Sequence, residues 1–423
     1  MAMDRDRLRA RVALLLSFSA FFVFPALPLG RTAALTIPVA LACVVVLASL
    51  PRVKLSECSP FAWIMAPALV SGWYVLFVGT AFAPDVVPKA VVATAMSLVV
   101  VIPALRLLRA GYGDQFVLGA ALAIIVHAAL GAYQLFAFER SEFPFADLMN
   151  TNPGMALVAE DPATYAEYVK RPFGLFAEPS AMAACVGPWL VAIARAVFSR
   201  SGGGSRPRTL VLALALVSGL WLVVASKSGM AAPIVGGAAV TAYAAAFSWR
   251  RRSIATRAAA LGLGGAVALA SAMWLTQNAS ARFDLAENES WQARLESLEV
   301  GVRSLAASID SRDSFLGGVG PGQAYFAVNS TDRRYQAGHG VTAIWSVGLN
   351  YALENGLPGI AAMLWIAACA AWSIWASHDR FAGAVCAAVW LTGIFCATSY
   401  VGQPALWTGL AALLSWRSVA PHA

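Results

Sequence analysis

The chain has 423 residues with a mean hydropathy of +0.68, and 59% of its residues are hydrophobic while only 12% are charged. Soluble domains average about 45–50% apolar and about 25% charged residues, so this composition excludes a water-soluble fold. It also excludes a disordered chain, whose signature is low hydrophobicity. We therefore predict an all-α polytopic membrane protein that forms a single integral membrane unit over residues 1–423.

Apolar runs of membrane-spanning length predict about twelve transmembrane helices. Charged residues or Pro and Gly clusters bound these runs, which lie at about 12–30, 32–50, 61–83, 88–105, 114–138, 179–199, 209–225, 229–248, 258–276, 343–377, 382–398 and 403–416. The first run follows a basic stretch and lacks a small-residue cleavage site, which favours a retained helix over a removed signal peptide. The tenth run is too long for one helix, and Gly356, Pro358 and Gly359 predict a break within it.

Lysine and arginine are distributed unevenly between the two sides of this arrangement. With the N-terminus in the cytoplasm, the cytoplasmic segments hold 18 basic and five acidic residues, the opposite segments hold 12 basic and 16 acidic residues, and Glu354 lies within the tenth run. This asymmetry follows the positive-inside rule and predicts that both termini are cytoplasmic. It explains the net charge of +8 without a nucleic-acid partner. The six cysteines form no CxxC pair, so they predict no metal site.

Two predicted loops are much longer than the others, and both lie on the outer, periplasmic side. They cover residues 139–178 and 277–338. Long loops in compact proteins are usually functional. Because no nucleotide is available in that compartment, any reaction there must use an already activated substrate.

The first long loop ends in a candidate site. Pro179 and Ser180 are residues typical of a helix start, so Glu178 is expected at the outer mouth of the next span. Arg171 lies just before it, and Gly174 permits a close approach of the backbone. The alternative is an interfacial arginine that snorkels and a glutamate that favours the helix dipole.

The second long loop contains a predicted amphipathic helix at residues 290–309. Its apolar stripe consists of Trp291, Leu295, Leu298, Val302, Leu305 and Ile309. Arg294 borders this stripe and can point into a cavity, whereas Arg303 should face solvent. The alternative for Arg294 is a solvated arginine on a surface helix.

Further along the same loop come a dense glycine run and a histidine. Gly317, Gly318, Gly320 and Gly322 predict a loop whose backbone can approach a ligand closely, although a plain turn is the alternative. The GK[ST] ending of a Walker loop is absent. Of the four histidines, His339 alone is placed at the outer mouth, where it is either functional or a satisfied polar residue.

The order of these motifs resembles the O-antigen ligase and Wzy polymerase superfamily of bacterial polysaccharide enzymes. The shared elements are an Arg-x-x-Gly motif before a span, the short turn Ser226-Lys227-Ser228-Gly229, an arginine-bearing helix, Gly-Val-Gly-Pro-Gly, a histidine, and Glu354-x-Gly-x-x-Gly. The resemblance covers roughly residues 171–364. Two positions depart from it, because Lys227 stands where arginine is often found and Gly340 stands where asparagine is common.

The resemblance implies a GT-C-type glycosyltransferase fold and a metal-independent enzyme without a cofactor. Its implied donor is an undecaprenyl-diphosphate-linked oligosaccharide. Fixed guanidiniums suit a departing diphosphate because they stay charged and grip phosphate oxygens bidentately. The candidate diphosphate-binding residues are Arg171, Arg294 and Lys227, and the loop residues that match are Gly174, Gly320 and Gly322.

The acceptor hydroxyl must lose a proton, and the resemblance leaves two candidates for the base. His339 is preferred because its pKa is ordinarily near neutral, and Glu178 is the alternative. His339 as a phosphate-binding imidazolium also stays open.

The Glu178-Pro179-Ser180 form of the first motif looks more like repeat-unit polymerases than ligases. We therefore expect a polymerase in the bacterial inner membrane, with a flippase and a chain-length co-polymerase as partners. Three alternatives stay open, namely a ligase that transfers the glycan to another acceptor, a non-catalytic assembly partner, and a transporter or flippase. The transporter or flippase alternative is disfavoured because the sequence shows no convincing internal repeat.

Overall fold

The structure is a computed structural model that describes residues 2–28, 34–49, 54–149, 151, 170–199, 206–247, 289–310, 316, 318–331, 344–396 and 402–419. His339 and the predicted span at 258–276 lie outside the described residues. The elements, in chain order, are α1 (Ala2–Ser19), β1 (Ala26–Pro28), β2 (Ala34–Thr36), α2 (Ile37–Ser49), α3 (Leu55–Val78), α4 (Val86–Leu98), α5 (Val101–Arg109), α6 (Gly113–Phe138), α7 (Ala146–Met149), α8 (Pro179–Ser199), α9 (Arg206–Ala225), α10 (Ala231–Phe247), α11 (Glu289–Asp310), α12 (Ala324–Thr331), α13 (Val347–Trp375), α14 (Arg380–Cys396), α15 (Pro404–Leu414) and α16 (Trp416–Val419).

The described part of the chain is mostly helical and contains six helices long and apolar enough to cross a membrane. These are α3, α4 with α5, α6, α8, α9 and α13. Four further apolar helices, α2, α10, α14 and α15, are shorter. The predicted class of helical membrane protein is therefore supported, while twelve spans and the GT-C topology stay predictions.

The first predicted span ends earlier than expected. Helix α1 ends at Ser19, and the chain continues into strand β1, which pairs with β2 in an antiparallel hairpin. Pro25 and Pro28 explain the difference, because proline has no N–H to donate within a helix. The prediction of one helix over residues 12–30 was therefore wrong in its second half.

Helix α8 lies at the centre of the bundle and is buried along nearly its whole length. It packs against α9, α10, α14 and α15, while α6 packs against α1 and α9. Glycines allow these close contacts, since a Cβ on Gly219 would lie 2.6 Å from the side chains of Ile124 and Leu190. Small residues at helix contacts are characteristic of membrane proteins.

Ion pairs define one end of the bundle, which we call the charged end. Arg208 contacts Asp114 at 2.9 Å, and Arg195 pairs with Asp379. The charge pattern of the sequence assigned these four residues to the same side, in agreement with the pairing. We call the opposite end, where α6 ends and α8 begins, the loop end.

Helix α11 confirms the predicted helix, with bounds within one residue. Among its described side chains, Leu298 and Leu305 of the predicted stripe are partly buried, but the fully buried positions lie on a different face. The buried positions are Ser297, Val300, Gly301, Ser304 and Ser308. Val302, from the predicted apolar stripe, is 58% exposed. At 100° per residue the two faces differ by about 120°.

Small residues explain this different face of α11, because they allow a closer helix contact than the large apolar residues of the predicted stripe. A Cβ on Gly301 would lie 2.5 Å from the side chain of Leu349 on α13. Arg303 is exposed, as predicted, and pairs with Glu299 one turn earlier.

Candidate functional site

Residues 170–178 form a non-helical segment at the loop end, which we call the entry segment because it leads into α8. Two side chains of α6 support its middle. The Gln134 Oε1 atom accepts hydrogen bonds from the N–H groups of Phe173 at 3.0 Å and Gly174 at 2.8 Å, and its Nε2 donates to the Gly174 carbonyl at 2.8 Å. The His127 Nδ1 atom accepts a hydrogen bond from the N–H of Leu175 at 3.1 Å.

The entry segment reaches well below the end of α6. His127 lies eleven residues before Phe138, the last residue of that helix, which corresponds to about 16 Å along its axis. Non-helical backbone inside a membrane bundle is tolerated only where protein groups satisfy it or where it lines a cavity. Here Gln134 and His127 accept the N–H groups of three successive residues, so the segment enters the bundle from the loop end with the backbone of its middle hydrogen-bonded.

Gly174 is required at its position in the entry segment. Its φ is +61°, and a Cβ there would lie 2.5 Å from the Nδ1 atom of His127. The imidazole is itself packed against the rings of Phe22 and Phe176, with centroid distances of 4.7 and 4.6 Å. The predicted close approach at Gly174 is thus made to His127 within the chain.

Arg171 and Glu178 lie near the two ends of the entry segment, and both are half-buried. The hydroxyl of Ser180 donates a hydrogen bond to the Glu178 carboxylate. Helix α8 begins at Pro179, as predicted, so this carboxylate lies beside the first turn of a helix, where a negative charge is favourable. The segment therefore carries a cation and an anion on backbone whose middle is anchored by α6.

Lys227 lies in the short turn between α9 and α10, also at the loop end, and is exposed. Its φ of +52° is one of four positive values among the described non-glycine residues, and Lys170, beside Arg171, is another. The hydroxyl of Ser226 donates to the Val223 carbonyl at 2.7 Å and supports the turn. Left-handed backbone at a non-glycine residue costs about 1–2 kcal/mol and is often associated with function.

Residues 318–320 of the glycine run pack against the break in α13. Gly356 has non-helical angles of φ 59° and ψ −147°, which confirms the predicted break. The N–H groups of Val319 and Gly320 donate to the carbonyls of Leu353 and Glu354 at 3.1 and 2.9 Å. A Cβ on Gly318 would lie 2.5 Å from the Glu354 carbonyl oxygen, so glycine is required for this contact.

Gly320 and Gly322 hold the same loop against α3 and α4. Both have positive φ, at +94° and +74°. A Cβ on Gly320 would lie 2.6 Å from Val75 on α3, and a Cβ on Gly322 would lie 2.8 Å from Val86 on α4. These glycines make close contacts within the protein. This is what the plain-turn alternative for the motif predicts.

Glu354 is a candidate functional residue that the sequence reasoning did not assign. Its carboxylate accepts hydrogen bonds from the backbone N–H groups of Gly322 and Ala324. It also lines a largely apolar cavity of about 1200 Å³ beside α13. An ionisable residue on a membrane helix is a functional candidate by default, and its place next to a break motif was the signal available in the sequence.

The structure describes only some of the candidate residues. The entry segment contains Arg171, Gly174 and Glu178. At the same end of the bundle lie Lys227, Gly320 and Gly322. Arg294 lies on α11, but its side chain is outside the described residues, as is the whole of His339. A common pocket for Arg171, Arg294 and His339 stays a prediction.

No protein-family model matches this chain, and no curated protein matches it either. The predicted resemblance to polysaccharide polymerases and ligases therefore rests on the ordered motifs alone and stays a prediction.

Proposed function

We propose that this protein is a glycosyltransferase that joins oligosaccharide repeat units carried on undecaprenyl diphosphate. The observation that carries the proposal is the entry segment, which holds Arg171 and Glu178 beside the start of a buried helix. Its Arg-x-x-Gly pattern opens the series of motifs that resembles the Wzy polymerases. A cation and a carboxylate on anchored backbone are groups that such a transfer can use.

In the proposed reaction, an acceptor sugar hydroxyl attacks the anomeric carbon of the donor, and the bond from that carbon to the diphosphate oxygen breaks. The diphosphate leaves with both electrons of that bond. Arg171, Arg294 and Lys227 stabilise its developing negative charge. His339 accepts the hydroxyl proton, with Glu178 as the alternative base.

The proposed setting is the bacterial inner membrane, with a GT-C-type fold of about twelve spans. The excess of lysine and arginine near the charged end supports placing that end in the cytoplasm, with both termini. The loop end then faces the periplasm, where a lipid-linked donor is already activated. A flippase and a chain-length co-polymerase are the expected protein partners.

A gene deletion with analysis of the lipid-linked glycans tests the proposal. A polymerase deletion leaves single repeat units on the lipid carrier, and this is the result we expect. Full-length polymer that stays on the lipid and is missing from its final acceptor would indicate a ligase. Unchanged polymer, both on the carrier and on the acceptor, would contradict both forms of the proposal.

A further inference from the structure

The support beneath the entry segment comes from one face of α6. His127, Gly131 and Gln134 are spaced four and three residues apart, so they lie on the same side of this helix. A Cβ on Gly131 would lie 3.3 Å from Pro172, so this glycine allows the segment to come close between the two polar side chains. We call His127 and Gln134 the floor residues.

The floor residues bond to the backbone of the segment rather than to its side chains. Three successive N–H groups, from Phe173, Gly174 and Leu175, donate to them. Both floor side chains are fully buried. Buried polar side chains in a membrane bundle are costly unless they are paired, and here Gln134 and the Nδ1 atom of His127 are paired with one short stretch of chain.

We propose that Gln134 and His127 are positioning residues that hold Arg171 and Glu178 in the geometry that the transfer needs. This inference rests on the proposed function. Arg171 comes two residues before the first anchored N–H, and Glu178 comes three residues after the last one. Neither end of the segment can shift far while the middle is held, so the floor orients both functional groups without touching the substrate.

Preorganisation is the physical reason that such a support matters. Groups that stabilise a departing charge act most strongly when they are already in place. Displacement of a catalytic group by about 1 Å can lower a rate on the order of a hundredfold. Loss of the floor should therefore lower kcat in the protein that stays folded, whereas a merely structural role would lower the stability of the fold and leave that kcat unchanged.

The hydrogen-bond pattern identifies informative substitutions. Gln134→Met keeps the length of the side chain and removes both its donor and its acceptor. His127→Asn places an amide oxygen where Nδ1 now accepts the N–H of Leu175, whereas His127→Leu offers no acceptor. Gln115→Met is the matched control, because Gln115 lies on the same helix at the charged end, far from the segment.

The experiment uses the full chain purified in lipid nanodiscs. Amide hydrogen exchange at Phe173, Gly174 and Leu175 reports the contacts, kcat and KM with lipid-linked repeat units report the reaction, and thermal unfolding reports the fold. For Gln134→Met and His127→Leu we expect faster exchange and a kcat lower on the order of a hundredfold. We expect KM to match that of Gln115→Met and the unfolding temperature to fall, because buried N–H groups of the segment lose their acceptors, so kcat is compared below the lowest unfolding temperature. We expect His127→Asn to recover most of the activity.

Two results would overturn the inference. If amide exchange in Gln134→Met and His127→Leu is as slow as in the wild-type protein, the floor does not hold the segment. Fast exchange with undiminished kcat would show that its position does not matter for the reaction. If the wild-type protein itself gave no product, the proposed transfer would fall together with the positioning role, while the exchange rates would still report the contacts.

Discussion

At the scale of single residues, Gly174 shows how a sequence motif becomes a structural requirement. The motif placed a glycine between Arg171 and Glu178 and predicted a close approach. The partner in that approach is His127, which stands 47 residues earlier in the chain. No spacing rule connects two residues so far apart, so the sequence indicated the need for glycine without its cause.

Replacement of Gly174 by alanine should destabilise the entry segment. The left-handed φ costs about 1–3 kcal/mol for a residue with a Cβ, and the added carbon also meets the His127 ring. We expect a lower unfolding temperature and loss of glycan transfer. Gly229→Ala is the control, because a Cβ at Gly229 has no neighbour within 4 Å. Equal unfolding temperatures for the two variants would contradict the required contact.

Lys227 offers a separate test of charge, because its backbone already has a conformation that glycine adopts readily. Lys227→Gly removes the cation while leaving the turn intact. We expect weaker turnover of the lipid-linked donor and an unfolding temperature that is unchanged or slightly higher.

The control for Lys227→Gly is Ser141→Gly, which makes the same backbone change at another residue with positive φ, 57°, at the loop end. Turnover that falls equally in the two variants would point to the backbone rather than the charge. Undiminished turnover in Lys227→Gly would remove this lysine from the proposed diphosphate site.

At the scale of elements, the sequence predicted the break in α13 and the bounds of α11 better than the buried face of α11. The break in α13 was predicted from Gly356 and Pro358, because both residue types disturb a helix locally. The buried face of α11 was misjudged because Ser304 and Ser308 are weak hydrophobic signals. They are buried because small side chains allow close helix packing.

The contact between the glycine loop and α13 is testable at this scale. In Gly318→Ala, the added Cβ would meet the Glu354 carbonyl, and the residue has a φ of +68°. We expect a lower unfolding temperature and faster amide exchange at Val319 and Gly320, whose N–H groups bond to α13.

Gly236→Ala on α10 is the control for this contact, because a Cβ there has no neighbour within 4 Å. If the amide protection of Val319 and Gly320 is unchanged in Gly318→Ala, the loop does not depend on the close contact between Gly318 and the Glu354 carbonyl.

At the scale of the whole molecule, composition and charge were informative because they sum over many residues. They predicted a helical membrane protein, and the ion pairs Arg208–Asp114 and Arg195–Asp379 gather at one end as the charge pattern requires. The floor beneath the entry segment escaped prediction, because it consists of contacts between residues 39 to 48 positions apart. Such contacts leave no periodic signal in a single sequence.

The most direct measurement of the central claim is polymer formation by the purified protein from lipid-linked repeat units. Arg171→Ala is compared with the wild-type protein and with Arg140→Ala, which removes an exposed arginine at the same end of the bundle. We expect Arg171→Ala to form polymer at least about a hundredfold more slowly, because the loss of one preorganised donor to a developing negative charge costs about 2.7–4 kcal/mol. Arg140→Ala should match the wild-type rate. A wild-type rate for a normally folded Arg171→Ala variant would contradict the account.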